Sequence, residues 1–128
     1  MTGISSETVA LLESKGIKDT LTLFDKVKTQ TDREILSRDT GIRPEEIMLL
    51  TKLTDLSRIR WVGCTFARVL YEAGFETTTS VAEADYQYLY NTILRLNSEK
   101  NLYKGQIGLN DMKLCVLSAR EVSSEIEY

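Results

Sequence analysis

Residues 56–75 read LSRIRWVGCTFARVLYEAGF. Ile59, Val62 and Gly63 are spaced as in a tight turn between two helices, and Trp61, the single tryptophan of the chain, stands at the tip of that turn. After the turn, apolar residues recur with the spacing of one helix face, namely Phe66, Val69, Leu70 and Ala73. The stretch therefore predicts a helix that begins after Gly63, preceded by a large aromatic residue where a tight turn favours glycine.

Helical spacing of apolar residues continues through most of the 128 residues. The spacing predicts helices at about 6–15, 20–27, 31–40, 44–54, 64–73, 78–84, 85–97 and 110–123. Gly16, Gly41 and Gly74 each follow an apolar stretch, where a residue in the left-handed conformation commonly ends a helix. The prediction is an all-α domain, a compact bundle of many short helices.

The polar stretch at 98–109 predicts the one long loop of the chain. Its sequence, SEKNLYKGQIGL, contains two glycines. Leu102, Tyr103 and Ile107 are the predicted anchors of this loop to the body of the protein. Asn110 is the predicted N-cap of the last helix, because asparagine is among the residues preferred at that position.

A weak internal repeat relates two parts of the chain. LLESKGIKDTLTLF at 11–24 aligns with VLYEAGFETTTSVA at 69–82, so that Gly16 matches Gly74. Each copy is typical of a helix, a glycine that ends it, an apolar anchor and a second helix that begins at threonine. We predict a single domain over 1–128, with unit one at about 4–43, unit two at about 44–97, and a C-terminal loop and helix at 98–123.

Composition and charge narrow the range of functions. The net charge of −3 and the pI of about 5.1 argue against a surface that is positive throughout. The chain has no histidine, so the most common general base and metal ligand is missing. No apolar run reaches the roughly 18 residues that a membrane span needs, and the first residues do not form a secretory signal. We expect a cytoplasmic protein without membrane contact, in which Cys64 and Cys115 are thiols rather than a disulfide.

The residues of the turn resemble the helix-hairpin-helix motif. That motif reads apolar–x–Gly–apolar–Gly, and residues 59–63 read IRWVG, with Trp61 in place of the first glycine. Over about 8–122 the chain resembles the small two-unit helix-hairpin-helix proteins of domain of unknown function family 4332. The resemblance includes LLESKGI, LYEAGFETTTSVA and YLYNTILRLN in this order. It implies a fold of two hairpin units, of the SAM-like type, and either DNA binding without sequence readout or protein interaction.

The turn and its surroundings are the predicted nucleic-acid site. A helix that begins after Gly63 has first-turn N–H groups without partners inside the helix, and with its dipole these N–H groups can bind a phosphate. Between residues 52 and 70 four basic side chains face one acidic side chain, which is typical of a small phosphate-facing patch. The expected contacts are the amides of Val62, Gly63 and Cys64, the charged groups of Lys52, Arg58, Arg60 and Arg68, and the ring of Trp61.

Two interpretations of Trp61 follow from the sequence. In the first, the ring packs on Leu56 or a neighbouring helix and simply buries area. In the second, the ring is exposed, and it lies against a sugar or stacks on an unpaired base, as suits single strands or strand ends. The same ring keeps a duplex phosphate away if it crowds the turn.

The alternative function is a protein-interaction or scaffold domain of unknown partner, with an oligomeric state that the sequence leaves open. The acidic pI, the missing hairpin glycine and the tyrosines at positions 86, 88 and 90 favour this alternative. Catalysis is not expected, because the acidic pairs Asp32/Glu34 and Glu83/Asp85 are two residues apart and do not share a helix face. No cofactor-binding loop and no zinc-ligand spacing is present, so we expect neither a cofactor nor a metal.

Overall fold

Eight helices make up the fold of the residues described by the computed structural model: 4–101, 103, 105 and 107–128, apart from the side chain of Cys64. They are α1 (Ser6–Ser14), α2 (Thr20–Asp25), α3 (Gln30–Thr40), α4 (Pro44–Leu56), α5 (Cys64–Glu72), α6 (Thr78–Ala82), α7 (Tyr86–Lys100) and α8 (Leu109–Arg120). These residues contain no strand. The prediction of an all-α fold is confirmed.

Side-chain oxygens cap the start of most helices. Such caps satisfy N–H groups that the first helical turn leaves without a partner. The capping residues are Ser5 for α1, Asp19 for α2, Thr29 for α3, Thr77 for α6 and Asp85 for α7. Helix α4 begins instead with Pro44, whose fixed φ suits the first helical position.

Two boundaries around the predicted loop were wrong. Helix α7 continues to Lys100, and Asn101 ends it in the left-handed conformation with φ of 50°. Helix α8 begins at Leu109 rather than after Asn110, because the carboxylate of Asp111 accepts a hydrogen bond from the N–H of Gly108 at 2.9 Å. The loop is therefore shorter than predicted. Its anchors Tyr103 and Ile107 pack on the core as predicted, while Leu102 lies outside the described residues.

Gly16 and Gly74 make the same turn at the two places that the repeat aligned. Their φ values are 79° and 97°, a conformation that costs other residues about 1–2 kcal/mol. In the first copy the N–H of Ile17 donates to Leu12 O at 3.0 Å, and in the second the N–H of Phe75 donates to Leu70 O at 2.9 Å. Both turns thus satisfy the last helical carbonyls in the way expected of a Schellman motif.

Two hydrophobic clusters form the core. The first contains Leu12, Ile17, Leu23, Val27, Leu36, Ile42, Ile47 and Leu50. The second contains Leu53, Leu56, Ile59, Val62, Ala67, Val69, Leu70, Val81, Leu89, Ile93, Met112, Cys115, Val116 and Ala119. Helix α4 contributes to both clusters, and it packs against α2 and α3 on one side and against α5 on the other. The rows of buried residues on α4 therefore join the two halves of the chain, and the proposed unit boundary at 43/44 remains a prediction.

Asp55 is buried at the end of α4 and receives hydrogen bonds from two other segments. Its Oδ2 accepts from the N–H of Thr78 at 3.0 Å and from the hydroxyl of Tyr128 at 2.8 Å, and its carbonyl accepts from Thr78 Oγ1 at 2.8 Å. Burial and the hydrogen bond to Asp55 raise the pKa of the Tyr128 phenol. The C-terminal segment also donates from the N–H of Glu127 to Lys28 O at 2.7 Å. Asp55 therefore ties the end of α4 to the start of α6 and to the C-terminal segment.

Replacing Asp55 with alanine should lower the free energy of unfolding by about 3 kcal/mol. The variant leaves the buried N–H of Thr78 without its acceptor and Arg58 without one of its two carboxylate partners. Urea unfolding followed by far-UV circular dichroism measures the difference. Asp25→Ala, which removes an exposed carboxylate paired with Lys28, is the matched control and should cost less than about 1 kcal/mol. Equal losses in both variants would show that Asp55 does not hold these segments together.

Candidate functional site

The turn between α4 and α5 is held by two buried apolar residues and three backbone hydrogen bonds. Ile59 and Val62 are both buried in the second cluster. The N–H groups of Arg58, Ile59 and Val62 donate to the carbonyls of Asp55, Leu56 and Ile59. Since both flanking side chains are anchored, the two residues between them, Arg60 and Trp61, are held in the exposed part of a rigid turn.

Trp61 occupies a backbone conformation that favours glycine. Its φ is 71°, and among the residues that the structure describes only Asn101 is another non-glycine residue with positive φ. The conformation costs an L-residue about 1–2 kcal/mol. The residue is 81% exposed, so its ring does not recover this energy by burial. The interpretation that Trp61 packs into the core is therefore wrong, because the left-handed backbone and the anchored neighbours direct the ring away from the core.

Arg60 stacks on the ring of Trp61. The Cζ of its guanidinium lies 4.9 Å from the ring centroid, within the range of a cation–π contact. Arg60 is exposed, and in the described part of the chain no carboxylate lies within 4 Å of its guanidinium. The pair thus presents a flat aromatic surface and a positive charge side by side.

The other three predicted basic residues pair with carboxylates. Lys52 pairs with Glu76, and Arg68 pairs with Glu72 at 2.8 Å. Their positive charge is largely offset within the protein, so they contribute less to a surface potential than the sequence suggests.

Of the four predicted basic residues, Arg58 makes the most contacts within the protein. It lies 3.3 Å from Asp55 and 3.1 Å from Glu125, and it donates to Ser123 O at 2.9 Å. Its Cζ also lies 4.4 Å from the ring centroid of Phe24. Arg58 therefore acts as a link between α2, the end of α4 and the C-terminal segment.

The backbone at the start of α5 differs in part from the predicted phosphate site. Gly63 is the N-cap and has no side chain to bond the first-turn N–H groups, and no acidic residue lies in the first turn. The N–H of Val62, however, already donates to Ile59 O at 3.0 Å. The amides of Gly63 and Cys64 remain the predicted phosphate contacts, and they await a test.

A cleft of about 440 Å³ lies beside the turn, lined by residues of α5 and α8 and by Tyr103 and Ile107 of the segment between α7 and α8. Its floor contains the buried residues Val62, Met112 and Cys115, and one wall contains Phe66 and Tyr103. Arg60, Trp61 and Asp111 also line it. Its volume lies within the range of small-molecule sites, which combine apolar walls with a few polar groups.

The described residues include one free thiol, and its surroundings are known. Cys115 is a free, buried thiol, as predicted, and burial raises its pKa to about 11, so the thiolate that a nucleophile requires is scarce. No group of three or more metal-ligating side chains comes together among the residues placed by the structure. In this part of the chain no helix has both the length and the apolar character to cross a membrane.

Comparison with known families identifies the chain as a member of one of them. The family model described as Domain of unknown function (DUF4332) matches residues 2–122. Since the match covers nearly the whole chain, the chain belongs to that family, as its sequence pattern predicted. Neither a curated protein nor a solved structure matches it.

Two substitutions of Trp61 should differ in stability because only one of them relieves the backbone strain. Trp61→Gly and Trp61→Ala both remove the ring, but only alanine keeps a Cβ at φ of 71°. We expect the glycine variant to be more stable than the alanine variant by about 1 kcal/mol. Urea unfolding followed by far-UV circular dichroism measures the difference. Equal stability of the two variants would mean that the turn relaxes and stores no strain.

Proposed function

We propose that the chain is a non-enzymatic helix-hairpin-helix module that binds single-stranded DNA weakly through the turn at 59–64. One observation carries the proposal: Trp61 is 81% exposed, in a strained conformation, on an otherwise anchored turn. Strained residues that persist in a well-packed surrounding are concentrated at functional sites. An exposed ring on a rigid support is also what stacking on unpaired bases requires.

The backbone supports the helix-hairpin-helix interpretation of this turn. Trp61 stands where the motif has its first glycine, and its positive φ is the conformation for which a glycine is normally selected. Gly63, at the second glycine position, directly precedes α5. A positive φ at Trp61 is consistent with the proposed motif, in which the largest side chain replaces a residue without one.

This replacement favours single strands over duplex DNA. In the motif, glycine lets the phosphate backbone approach the turn closely, and an indole ring at that position obstructs the approach. A single strand avoids the obstruction because an unpaired base can lie on the ring. Arg60, with no carboxylate nearby among the described residues, provides the charge for the adjacent phosphate. Stacking and phosphate contact are both indifferent to base identity.

The affinity of this site should be low. Of the predicted phosphate contacts, which all belong to the described part of the backbone, Arg60 and the amides of Gly63 and Cys64 remain, because Lys52, Arg58 and Arg68 are paired within the protein. We expect a dissociation constant of about 10⁻⁴–10⁻⁶ M with a shallow salt dependence. A cytoplasmic location is part of the proposal, since a free thiol at Cys115 suits a reducing compartment.

Reversing the charge of Arg60 should weaken the binding of single strands by about fivefold to tenfold. The emission of Trp61, the single tryptophan, reports binding directly in a titration with a short oligothymidylate and with a duplex, each at low and high salt. We expect saturable quenching by the single strand that weakens with salt and is smaller for the duplex. Arg60→Glu should lower the affinity for all strands by the same factor.

The matched control is Arg38→Glu, which makes the same charge change on an exposed arginine of α3. It should leave the affinity within about twofold, since α3 lies outside the turn. Trp61→Phe should retain part of the binding, whereas Trp61→Gly should lose it, followed in both cases by anisotropy of a labelled strand. Equal effects of the two arginine reversals, or full binding by Trp61→Gly, would refute the site.

A protein-interaction role is the second candidate. Leu114 and Leu117 on α8 are 48% and 44% exposed, and residues three apart are neighbours on a helix surface. If this face mediates self-association, sedimentation velocity should show a concentration-dependent dimer that Leu117→Glu abolishes. A monomer at all concentrations would exclude self-association through α8.

A further inference from the structure

One wall of the cleft beside Trp61 is formed by Tyr103, which contacts from α5 and α7 hold in place. Asn97 of α7 clamps the loop at Tyr103: its Nδ2 donates to Tyr103 O, and its Oδ1 accepts from the N–H of Tyr103, both at 2.8 Å. The ring of Tyr103 then meets Phe66 edge to face, with centroids 5.4 Å apart and planes at 71°. Two hydrogen bonds and an aromatic contact thus fix one side of the cleft, while Met112 and Val62 close its floor.

Among the described residues that line the cleft, Asp111 is the one carboxylate and Arg60 is the one cation. The Oδ2 of Asp111 accepts from the N–H of Gly108 at 2.9 Å, which fixes the carboxylate at the first turn of α8. A carboxylate has about four acceptor positions, so further N–H donors can bind it. The same negative charge repels phosphate at close range. The part of a ligand that enters the cleft should therefore be flat, largely apolar and edged with N–H donors.

Among the DNA bases guanine fits this description best. Its Watson–Crick edge presents two adjacent donors, N1–H and N2–H₂, which match the two oxygens of a carboxylate. Thymine presents one N–H between two carbonyl oxygens, and those oxygens repel a carboxylate. Adenine and cytosine each present a single amino group beside an acceptor nitrogen. A carboxylate at the cleft thus distinguishes the bases by the number of N–H donors on their Watson–Crick edges and not by their size.

We propose that this cleft seats one unpaired guanine, with its N1–H and N2–H₂ donating to Asp111. The phosphate of the same nucleotide lies outside the cleft, toward Arg60, which also lines it. For a guanine within a strand the inference rests on the proposed function, and it adds a base preference at one position of an otherwise indifferent strand. The same donors are present in a free guanine nucleotide, so the two sources need separate measurements.

The first measurement uses free nucleotides. Methyl resonances of Met112 and Val62 are followed by NMR during titration with dGMP, dIMP, dTMP and inorganic phosphate. We expect the largest shifts with dGMP, weaker binding of dIMP, which lacks the N2 amino group, and about tenfold weaker binding of dTMP. Phosphate alone should leave these resonances unchanged. If phosphate reproduced the shifts, or if dTMP bound as well as dGMP, the guanine site would be refuted.

The second measurement uses strands. Oligothymidylates with and without one central guanine are compared by anisotropy, with the parent protein and with Asp111→Asn. The asparagine oxygen still accepts from Gly108, so the start of α8 is kept, but the carboxylate is lost. We expect the preference for the guanine strand, about tenfold in the parent, to fall to about one in the variant. Asp85→Asn, a matched change at the cap of α7 and outside the cleft, should preserve the preference.

The outcomes separate the two proposals. If both strands bind equally and dGMP shifts no cleft resonance, the guanine site fails while single-strand binding stands. If dGMP binds in the cleft but no strand binds, the guanine site stands with a free nucleotide as its source, and the proposed function fails. If neither binds, both are refuted. Because dIMP changes the ligand and not the protein, the comparison remains decisive even if a variant folds poorly.

Discussion

The carboxylate of Asp55 is the constraint on which the geometry around the turn depends. It sits at the end of α4, the helix that contributes to both hydrophobic clusters, and it binds the N–H of Thr78 and the hydroxyl of Tyr128. A buried carboxylate is costly without hydrogen-bond donors. The end of α4 can therefore be buried only when the start of α6 and the C-terminal segment pack against it and donate to Asp55. The turn that follows α4 therefore begins at a fixed position, and Ile59, four residues after Asp55, is buried in the core.

The same group determines what Arg58 does. The sequence placed Arg58 among the phosphate-binding residues, but its guanidinium lies between Asp55 and Glu125, against Phe24. The pairing with Asp55 lies within reach of a sequence argument, since the two residues are three apart in the chain. The pairing with Glu125 does not, because a long-range contact follows from the path of the C-terminal segment and not from any local pattern.

Helix positions were largely predictable, and the reason is local. The ends at Gly16 and Gly74 follow from glycines in the left-handed region, and the starts at Asp19, Thr29 and Thr77 follow from capping side chains. These signals depend on neighbouring residues only. The start of α8 was missed because its stabilising oxygen belongs to Asp111, three residues inside the helix, and Asn110 next to it is an equally good cap by type.

The position of the turn was predictable from the sequence, but the charge around it was not. Residues 59–63 marked the turn, and the neighbouring arginines and lysine suggested a basic patch. Of the pairs that offset this patch, Arg68 with Glu72 has the i, i+4 spacing that a sequence argument can find. Lys52 with Glu76 joins α4 to the segment after α5 and depends on how these helices pack. A count of charges in one stretch of sequence therefore overstates its positive potential when packing places acidic residues from elsewhere in the chain beside the basic ones.

Once the paired basic residues are set aside, the turn presents an exposed aromatic ring and one arginine beside a cleft. Glycine would satisfy the backbone at Trp61 without strain, so the conformation of the turn does not require the ring. The ring lines a cleft whose opposite wall is fixed by Asn97 and Tyr103. If that cleft holds a base, the rigid turn means that little conformational entropy is lost on binding. The backbone strain at Trp61 is then the energetic cost of a preorganised binding surface. In a flexible turn the ring would have to be ordered each time a strand bound, and that ordering would weaken binding.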